Sequence, residues 1–187
     1  MESIGRLVLV VGPSGAGKDT LIDYARDRLR AEPRVHFVRR IISRPAGAGE
    51  DHQPVDSDWF DRRAREGGFS LHWQAHGLSY GIPSEIDDWL ERGDIVVANG
   101  SRAILPDARL KYPQLLVVYV TAPIDVLAKR LVERGRENLE SVKQRLIRSE
   151  QQSVEGDEVL YIDNSGPPEI AGERFLALLV EHAGVAK

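Results

Sequence analysis

The residues of this chain that are best suited to chemistry form one glycine-rich segment near the N-terminus. It consists of Gly12, Pro13, Ser14, Gly15, Ala16, Gly17, Lys18, Asp19 and Thr20. This order fits the phosphate-binding loop G-x-x-x-x-G-K-[ST] everywhere except the last position, where Asp19 stands for serine or threonine. The glycines let backbone N–H groups converge on phosphate oxygens, and the Lys18 ammonium can reach the terminal phosphates. The segment therefore predicts a triphosphate site.

Asp19 is the residue that departs from the general motif. A carboxylate beside a triphosphate is repelled unless a cation lies between them. Because hard carboxylate oxygens suit Mg²⁺, we expect Asp19 to hold this ion, with Thr20 as the alternative ligand. A third interpretation stays open, in which Asp19 is only a helix N-terminal carboxylate favoured by the helix dipole.

Alternating strands and helices are predicted to position this loop. Strands are predicted at 7–11, 35–42, 94–98, 115–121 and 159–162, a hairpin at 69–75 and 78–82, and helices at 20–29, 56–66, 83–91, 102–111, 123–133, 139–152 and 168–183. Residues 45–54 are predicted to form a polar loop. This alternation indicates an α/β fold with a mainly parallel central sheet and helices on both faces, and ligands bind at the carboxyl ends of such strands.

Composition excludes several functional classes. The 187 residues suit one domain, 1–187, and the net charge of −4 gives no support for a nucleic-acid or membrane surface. The absence of cysteine excludes disulfides, thiolate catalysis and cysteine-based zinc sites, and it fits a reducing, cytoplasmic location. The N-terminus lacks signal-peptide architecture, and no apolar stretch is long enough to span a bilayer.

Over nearly its whole length the chain resembles the guanylate-kinase-like branch of P-loop kinases. The resembling stretches are 12–21, 43–50, 69–81, 99–103 and 130–135. The resemblance implies a P-loop kinase fold with a small acceptor-binding hairpin insert at about 43–82 and a helical lid at about 130–148. It also implies ATP as the phosphoryl donor.

The chain departs from guanylate kinases where those enzymes recognise their base. Their acidic and hydroxyl guanine-binding residues fall at Leu71 and Ile82, and their second acceptor-site arginine falls at Gly47. Apolar side chains cannot bond a guanine edge, and each buried polar atom without a partner costs about 1–3 kcal/mol. The acidic residue at the end of their third strand falls at Val97, so a carboxylate is missing where Asp19 has been gained.

This pattern is similar to that of ribose 1,5-bisphosphate phosphokinases, which end their phosphate loop in G-K-D. Motifs close to theirs occur at Tyr80-Gly81, Glu85-Ile86-Asp87, Asn99-Gly100-Ser101-Arg102-Ala103 and Arg134-Gly135-Arg136-Glu137-Asn138. The resemblance implies transfer of the ATP γ-phosphoryl group to ribose 1,5-bisphosphate, which gives 5-phosphoribosyl 1-diphosphate during phosphonate degradation. The implied partners are small molecules, without nucleic acid or membrane, and the chain is expected to be a monomer or a homodimer.

The resemblance also suggests which cations act on the transferred group. Lys18 and the loop amides are expected to bind the ATP phosphates. Four arginines flank the basic turn and can close on the transferred phosphoryl group: Arg130, Arg134, Arg136 and Arg145. Of these, Arg134 and Arg145 match lid positions. For each arginine the alternative is a solvated helix charge.

A second set of residues is predicted to bind the acceptor. Arg44 is expected to grip an acceptor phosphate, unless it is a surface loop charge. Tyr80 can donate to a phosphate oxygen or stack under the sugar, with a core tyrosine as the alternative. Asn99 and Ser101 suit ribose hydroxyls, or they are turn residues around Gly100. Arg102 completes this predicted set.

Two other functions stay open at this point. One is a nucleoside monophosphate kinase with altered base choice, which Arg44 and Tyr80 would serve equally well. The other is a non-catalytic interaction module, since some guanylate-kinase-like domains bind partner proteins. Those modules commonly lose the phosphate loop, whereas this chain keeps it, including Lys18.

Overall fold

Strands and helices alternate along most of the chain. The computed structural model describes residues 5–45, 51–133, 139–150, 154–156 and 158–182. Its strands are β1 (Arg6–Val11), β2 (Val35–Val38), β3 (Arg40–Ile42), β4 (His52–Pro54), β5 (Phe69–Ala75), β6 (Leu78–Pro83), β7 (Ile95–Asn99), β8 (Leu116–Thr121) and β9 (Val159–Asp163). Its helices are α1 (Lys18–Arg28), α2 (Ser57–Arg65), α3 (Glu85–Glu91), α4 (Leu105–Lys111), α5 (Ile124–Glu133), α6 (Leu139–Glu150) and α7 (Pro168–His182), and a short 3₁₀ turn, Arg102–Ile104, precedes α4.

A five-stranded parallel sheet forms the centre of the fold, in the order β2-β7-β1-β8-β9. Its middle strands are almost continuously apolar because helices cover both faces. The predicted parallel sheet with helices on both sides is therefore confirmed. Because β1 lies between β7 and β8, the loop that follows β1 meets the ends of both neighbours.

Alternate residues of β1 enter two different hydrophobic clusters, as the two-residue period of a strand requires. Val8 and Val10 pack in the cluster that contains residues of α1 and α7. Leu7 and Leu9 pack on the other face, in the cluster that contains residues of α3, α4 and the β5–β6 hairpin. The central sheet therefore holds the phosphate-loop helix on one side and the hairpin on the other.

A second sheet, in the order β4-β3-β6-β5, carries the hairpin. The prediction of one strand over 35–42 is wrong, because the chain leaves the central sheet after Val38 and pairs with β6 and β4 from Arg40 onward. The prediction of a loop through Pro54 is also wrong, since His52–Pro54 pair in parallel with β3. The predicted hairpin is confirmed. The second sheet begins at the carboxyl end of β2, the same edge at which β1 ends.

Asp87 fastens α3 to α4 and to the start of the hairpin. Its carboxylate accepts hydrogen bonds from Ser70 Oγ at 2.8 Å, Lys111 Nζ at 2.9 Å and the Tyr112 hydroxyl at 2.6 Å. Burial raises the pKa of Asp87, but these hydrogen bonds outweigh burial and lower its pKa below the usual value. One residue of the Glu85-Ile86-Asp87 motif thus supports the β5–β6 hairpin. Within the described residues, no helix is long and apolar enough to cross a membrane.

Candidate active site

The glycine-rich loop connects β1 to α1 at the carboxyl edge of the central sheet. Gly12 has φ of 146° and Gly17 has φ of 87°, both in the range that side chains disfavour. A β-carbon at Gly12 would overlap the backbone carbonyl oxygen of Val120, and one at Gly17 would overlap the side-chain amide of Asn164. The two glycines therefore allow the loop to lie directly against β8 and the residues after β9.

Lys18 and the start of α1 concentrate positive potential at this loop. The N-cap residue is Gly17, so no side chain caps the first amides of the helix. The Lys18 ammonium donates to the carbonyl oxygens of Gly12 at 2.9 Å and Pro13 at 3.0 Å, which holds it at the loop. A helix N-terminus whose N-cap is a glycine, with an ammonium nearby, can bind a phosphate chain.

Two residues distant in sequence support the loop through its carbonyl groups. Asn164 follows β9, and its Nδ2 donates to Ala16 O at 2.7 Å. The Arg130 guanidinium of α5 donates to Asn164 O at 2.8 Å and, at the longer distance of 3.5 Å, to Gly15 O. Arg130 thus braces the loop in this structure, which differs from the solvated charge or phosphoryl contact considered from the sequence.

Asp19 and Asn99 meet on the α1 side of the central sheet. Ile95 and Val97 of β7 pack in the cluster that contains α1 residues, and Asn99 follows at the same two-residue period. Asn99 Nδ2 donates to Asp19 Oδ1 at 2.5 Å, and the Asn99 residue is only 5% exposed. The sequence assigned Asn99 to the acceptor ribose. Its amide nitrogen instead binds the loop carboxylate, and its buried oxygen has no hydrogen-bond partner among the described residues.

The oxygen donors at this position fit Mg²⁺. Among the described residues there is no cluster of three His, Cys, Asp or Glu side chains that could enclose a metal ion. Mg²⁺ commonly keeps several waters and binds through one or two carboxylates together with substrate phosphates. A half-buried Asp19 carboxylate at the phosphate loop, with the exposed Thr20 next to it, matches that mode of binding.

Arg44 and Tyr80 are positioned by the second sheet. The backbone N–H of Ser43 donates to Ser79 O at 3.0 Å, and Ser43 Oγ accepts from Ser79 N at 2.8 Å, which fixes the chain just before Arg44. Tyr80 stacks on Trp73 with ring centroids 5.4 Å apart and 7° between the planes. Tyr80 is half-buried, so part of this residue is exposed.

Leu71 and Ile82 lie opposite each other across the β5–β6 hairpin. They are 4% and 0% exposed and belong to the cluster shared with Leu9 and Val11. Neither presents a polar atom, and their closely packed surroundings leave no place for an unpaired guanine edge. The structure agrees with the sequence argument against guanine recognition.

The remaining predicted site residues differ in how far the structure describes them. Ser101 Oγ accepts from Ala103 N at 3.3 Å and caps the 3₁₀ turn that begins with Arg102. Arg134 and Arg136 lie outside the described residues, as does the side chain of Arg145, whose backbone is in α6. Sequence reasoning missed the contact of Asn164 with the loop. The signal was present, since Asp163-Asn164 falls at the carboxyl end of a strand.

The fold and the loop together define a P-loop protein of the guanylate-kinase-like type. The fold is similar to that of a guanylate kinase from Anaplasma phagocytophilum, with a TM-score of 0.70, 17% identity, and coverage of 97% of this chain and 88% of that one. A gluconokinase from Sinorhizobium meliloti 1021 is also similar, with a TM-score of 0.56, 19% identity, and coverage of 98% and 96%. At these identities the likeness concerns the fold alone.

Sequence comparison identifies the family. The chain is 47% identical over 180 residues to "Ribose 1,5-bisphosphate phosphokinase PhnN" of Agrobacterium fabrum, covering 95% of this chain and 98% of the relative. The protein of the same name from Acidiphilium cryptum is 51% identical over 180 residues, covering 96% and 95%. No family model matches the chain. The chain belongs to the ribose 1,5-bisphosphate phosphokinase family, which confirms the resemblance found in the sequence.

Proposed function

We propose that this chain transfers the γ-phosphoryl group of ATP to ribose 1,5-bisphosphate, giving ADP and 5-phosphoribosyl 1-diphosphate. The observation that carries the proposal is an intact phosphate loop in a fold whose base-reading positions, Leu71 and Ile82, are apolar and buried. Membership of the family supports the same acceptor. The interaction module is not favoured because the chain keeps the phosphate loop with Lys18, and the nucleoside monophosphate kinase is not favoured because those two positions lack polar groups.

The reaction requires positioning more than proton transfer. An oxygen of the acceptor's 1-phosphate attacks the γ-phosphorus, the bond to the β-phosphate oxygen breaks, and ADP leaves. A phosphate oxygen is already a nucleophile at neutral pH, so the site needs no strong general base. Catalysis then rests on orientation and on neutralising the charge of the transferred group.

The residues of the chain divide this task between donor and acceptor. Lys18 and the loop amides bind the ATP phosphates, and Arg44 and Tyr80 bind the acceptor. Asp19 holds Mg²⁺, which supplies further charge neutralisation at the triphosphate when it is bound. We place the reaction in the cytoplasm, in phosphonate degradation and 5-phosphoribosyl 1-diphosphate salvage, and the lack of cysteine fits that reducing compartment.

The acceptor preference tests the proposed function. We expect kcat/KM for ribose 1,5-bisphosphate to exceed that for GMP by about 10²-fold or more, since guanine would lose two polar partners at about 1–3 kcal/mol each. Steady-state rates with ribose 1,5-bisphosphate, GMP, AMP and ribose 5-phosphate measure the preference. If kcat/KM for GMP is comparable to that for ribose 1,5-bisphosphate, the proposed acceptor is wrong and the chain is a nucleoside monophosphate kinase. A useful GMP activity should require polar residues at both Leu71 and Ile82, together with an arginine at Gly47.

The lid arginines give a second test. Arg134→Ala and Arg145→Ala are each expected to lower kcat more than they weaken ATP binding, because charge that develops on the transferred group is what they meet. Arg174→Ala, at an exposed position of α7, serves as the control and should leave both parameters unchanged. If a variant instead raises KM for ATP and leaves kcat unchanged, the lid residue binds the ground state and the transition state equally and has no catalytic role.

A further inference from the structure

Two buried amide oxygens in the described part of the chain lack a hydrogen-bond partner, and both lie at the phosphate loop. They are Asn99 Oδ1 and Asn164 Oδ1, on residues that are 5% and 2% exposed. Each side chain uses its nitrogen to bind the loop region, to Asp19 and to Ala16 respectively. An acceptor buried without a partner costs about 1–3 kcal/mol, so a pair of them beside one loop marks a place where a ligand supplies the donor.

Asn99 is held rigidly, which makes it suited to orient a neighbour. It is the register partner of Val10 in the parallel pairing of β7 with β1. The next residue, Gly100, donates its N–H to Val10 O at 2.9 Å, so the backbone is fixed on both sides of the side chain. The 2.5 Å hydrogen bond therefore ties the Asp19 carboxylate to the central sheet across 80 positions of sequence.

At position 99, an amide side chain both donates a hydrogen bond to the Asp19 carboxylate and carries an oxygen that can accept one. An aspartate at 99 would place two carboxylates in contact and repel Asp19. An aliphatic residue would leave the Asp19 side chain without its donor. Val97, the strand position that could have carried an acid, is fully buried among Val8, Val10 and Val118. The pair of Asp19 and Asn99 thus provides the polar oxygen atoms that this strand otherwise lacks.

We propose that Asn99 is a positioning residue for the divalent cation. Its Nδ2 orients the Asp19 carboxylate toward the bound triphosphate, and its Oδ1 accepts a hydrogen bond from a water molecule that the cation carries. This rests on the proposed role of Asp19 in holding Mg²⁺, and it replaces the ribose contact that the sequence suggested for Asn99. It does not depend on which acceptor the enzyme uses.

The Mg²⁺ dependence of ADP binding tests the assignment without any turnover. Isothermal titration gives the affinity for ADP with Mg²⁺ and in the presence of a chelator. Wild type should gain affinity from Mg²⁺, and Asn99→Ala should lose about tenfold of that gain while its metal-free affinity stays unchanged. Asn99→Ser is too short to reach Asp19 and should behave in the same way, so either folded variant decides the result. Thermal melting confirms that each variant is folded.

Asn164→Ala is the matched control. Asn164 also has a buried oxygen without a hydrogen-bond partner among the described residues, but its nitrogen binds the loop backbone instead of Asp19. The variant should weaken ADP binding equally with and without Mg²⁺. The double variant Asp19→Asn with Asn99→Ala should lose no more of the Mg²⁺ gain than Asp19→Asn alone, which is the non-additivity expected of a coupled pair.

Two outcomes would overturn the proposal. If Asn99→Ala weakens ADP binding equally in both conditions, Asn99 only supports the loop. If Asp19→Asn retains the full Mg²⁺ gain, Asp19 is a helix N-terminal carboxylate and Asn99 has no cation to serve. Neither outcome affects the acceptor preference, so failure here is distinguishable from failure of the proposed reaction.

Discussion

Lys18→Ala is expected to lower kcat by about 10²-fold or more, as is typical when a group that stabilises transition-state charge is removed. The Lys18 ammonium donates to the carbonyl oxygens of Gly12 and Pro13, but the loop is also held by the close approach of Gly12 to β8 and by the hydrogen bond from Asn164 to Ala16 O. The variant should therefore keep its fold and part of its nucleotide affinity. It loses the charge that follows the γ-phosphate as the bond breaks.

Two comparisons make this expectation specific. Lys129→Ala removes an exposed lysine of α5 and should leave turnover unchanged. Lys18→Arg keeps the charge but replaces a compact ammonium with a larger planar group, so it should recover little activity. Steady-state kinetics and circular dichroism are measured on all three variants. Near-normal turnover of Lys18→Ala with a normal spectrum would reject the assignment of the phosphate loop.

The central sheet and the loop were predictable because their signals are local. Leu7 to Val11 form an uninterrupted apolar run, which is what a strand covered on both faces requires. The loop motif also indicates that a helix follows directly, although α1 begins at Lys18, two residues before the predicted start, because the left-handed Gly17 is its N-cap. A short stretch of sequence contains all of this information. The same holds for the hairpin, whose turn at His76 and Gly77 lies between two alternating segments.

The second sheet was harder to predict because its pairing is non-local. Residues 35–42 are rich in strand-forming side chains, yet their first half pairs with β7 and their second half with β6. The polar pair Arg39-Arg40 marks the division but does not identify either partner. Arg39 lies between the halves, and its guanidinium pairs with Asp51 at 2.5 Å. His52 joins a strand although polar neighbours indicate a loop. Periodicity gives the side-chain face of a strand but does not identify its partner.

In the candidate site, too, the sequence indicated which residues take part but not which of them are in contact. The sequence selected Asp19 and Asn99 separately, one for a cation and one for a sugar, and the structure joins them in one hydrogen bond. Asn164 lies 148 positions from the carbonyl of Ala16 that it binds. Residue types indicate what chemistry is available, but only the order of the strands shows which groups meet.

Gly12→Ala is expected to have the second large effect, on both stability and nucleotide binding. A non-glycine residue at a φ of 146° carries strain of about 1–3 kcal/mol. The added methyl also overlaps the carbonyl oxygen of Val120, a backbone atom of β8 that cannot move aside, and overpacking adds about 1–3 kcal/mol. The loop must shift away from β8, so its amides no longer converge on the phosphates.

Gly77→Ala is the matched control for this prediction. Gly77 also has a positive φ, of 73°, but a β-carbon there meets no atom within 4 Å. Its variant should show only the strain, with ADP affinity unchanged, whereas Gly12→Ala should lose about tenfold or more in ADP affinity, since one lost backbone contact to a charged group is worth about 1.5–3 kcal/mol. Urea unfolding and calorimetric titration measure both quantities. An unchanged ADP affinity of Gly12→Ala would show that the contact with β8 does not shape the phosphate loop.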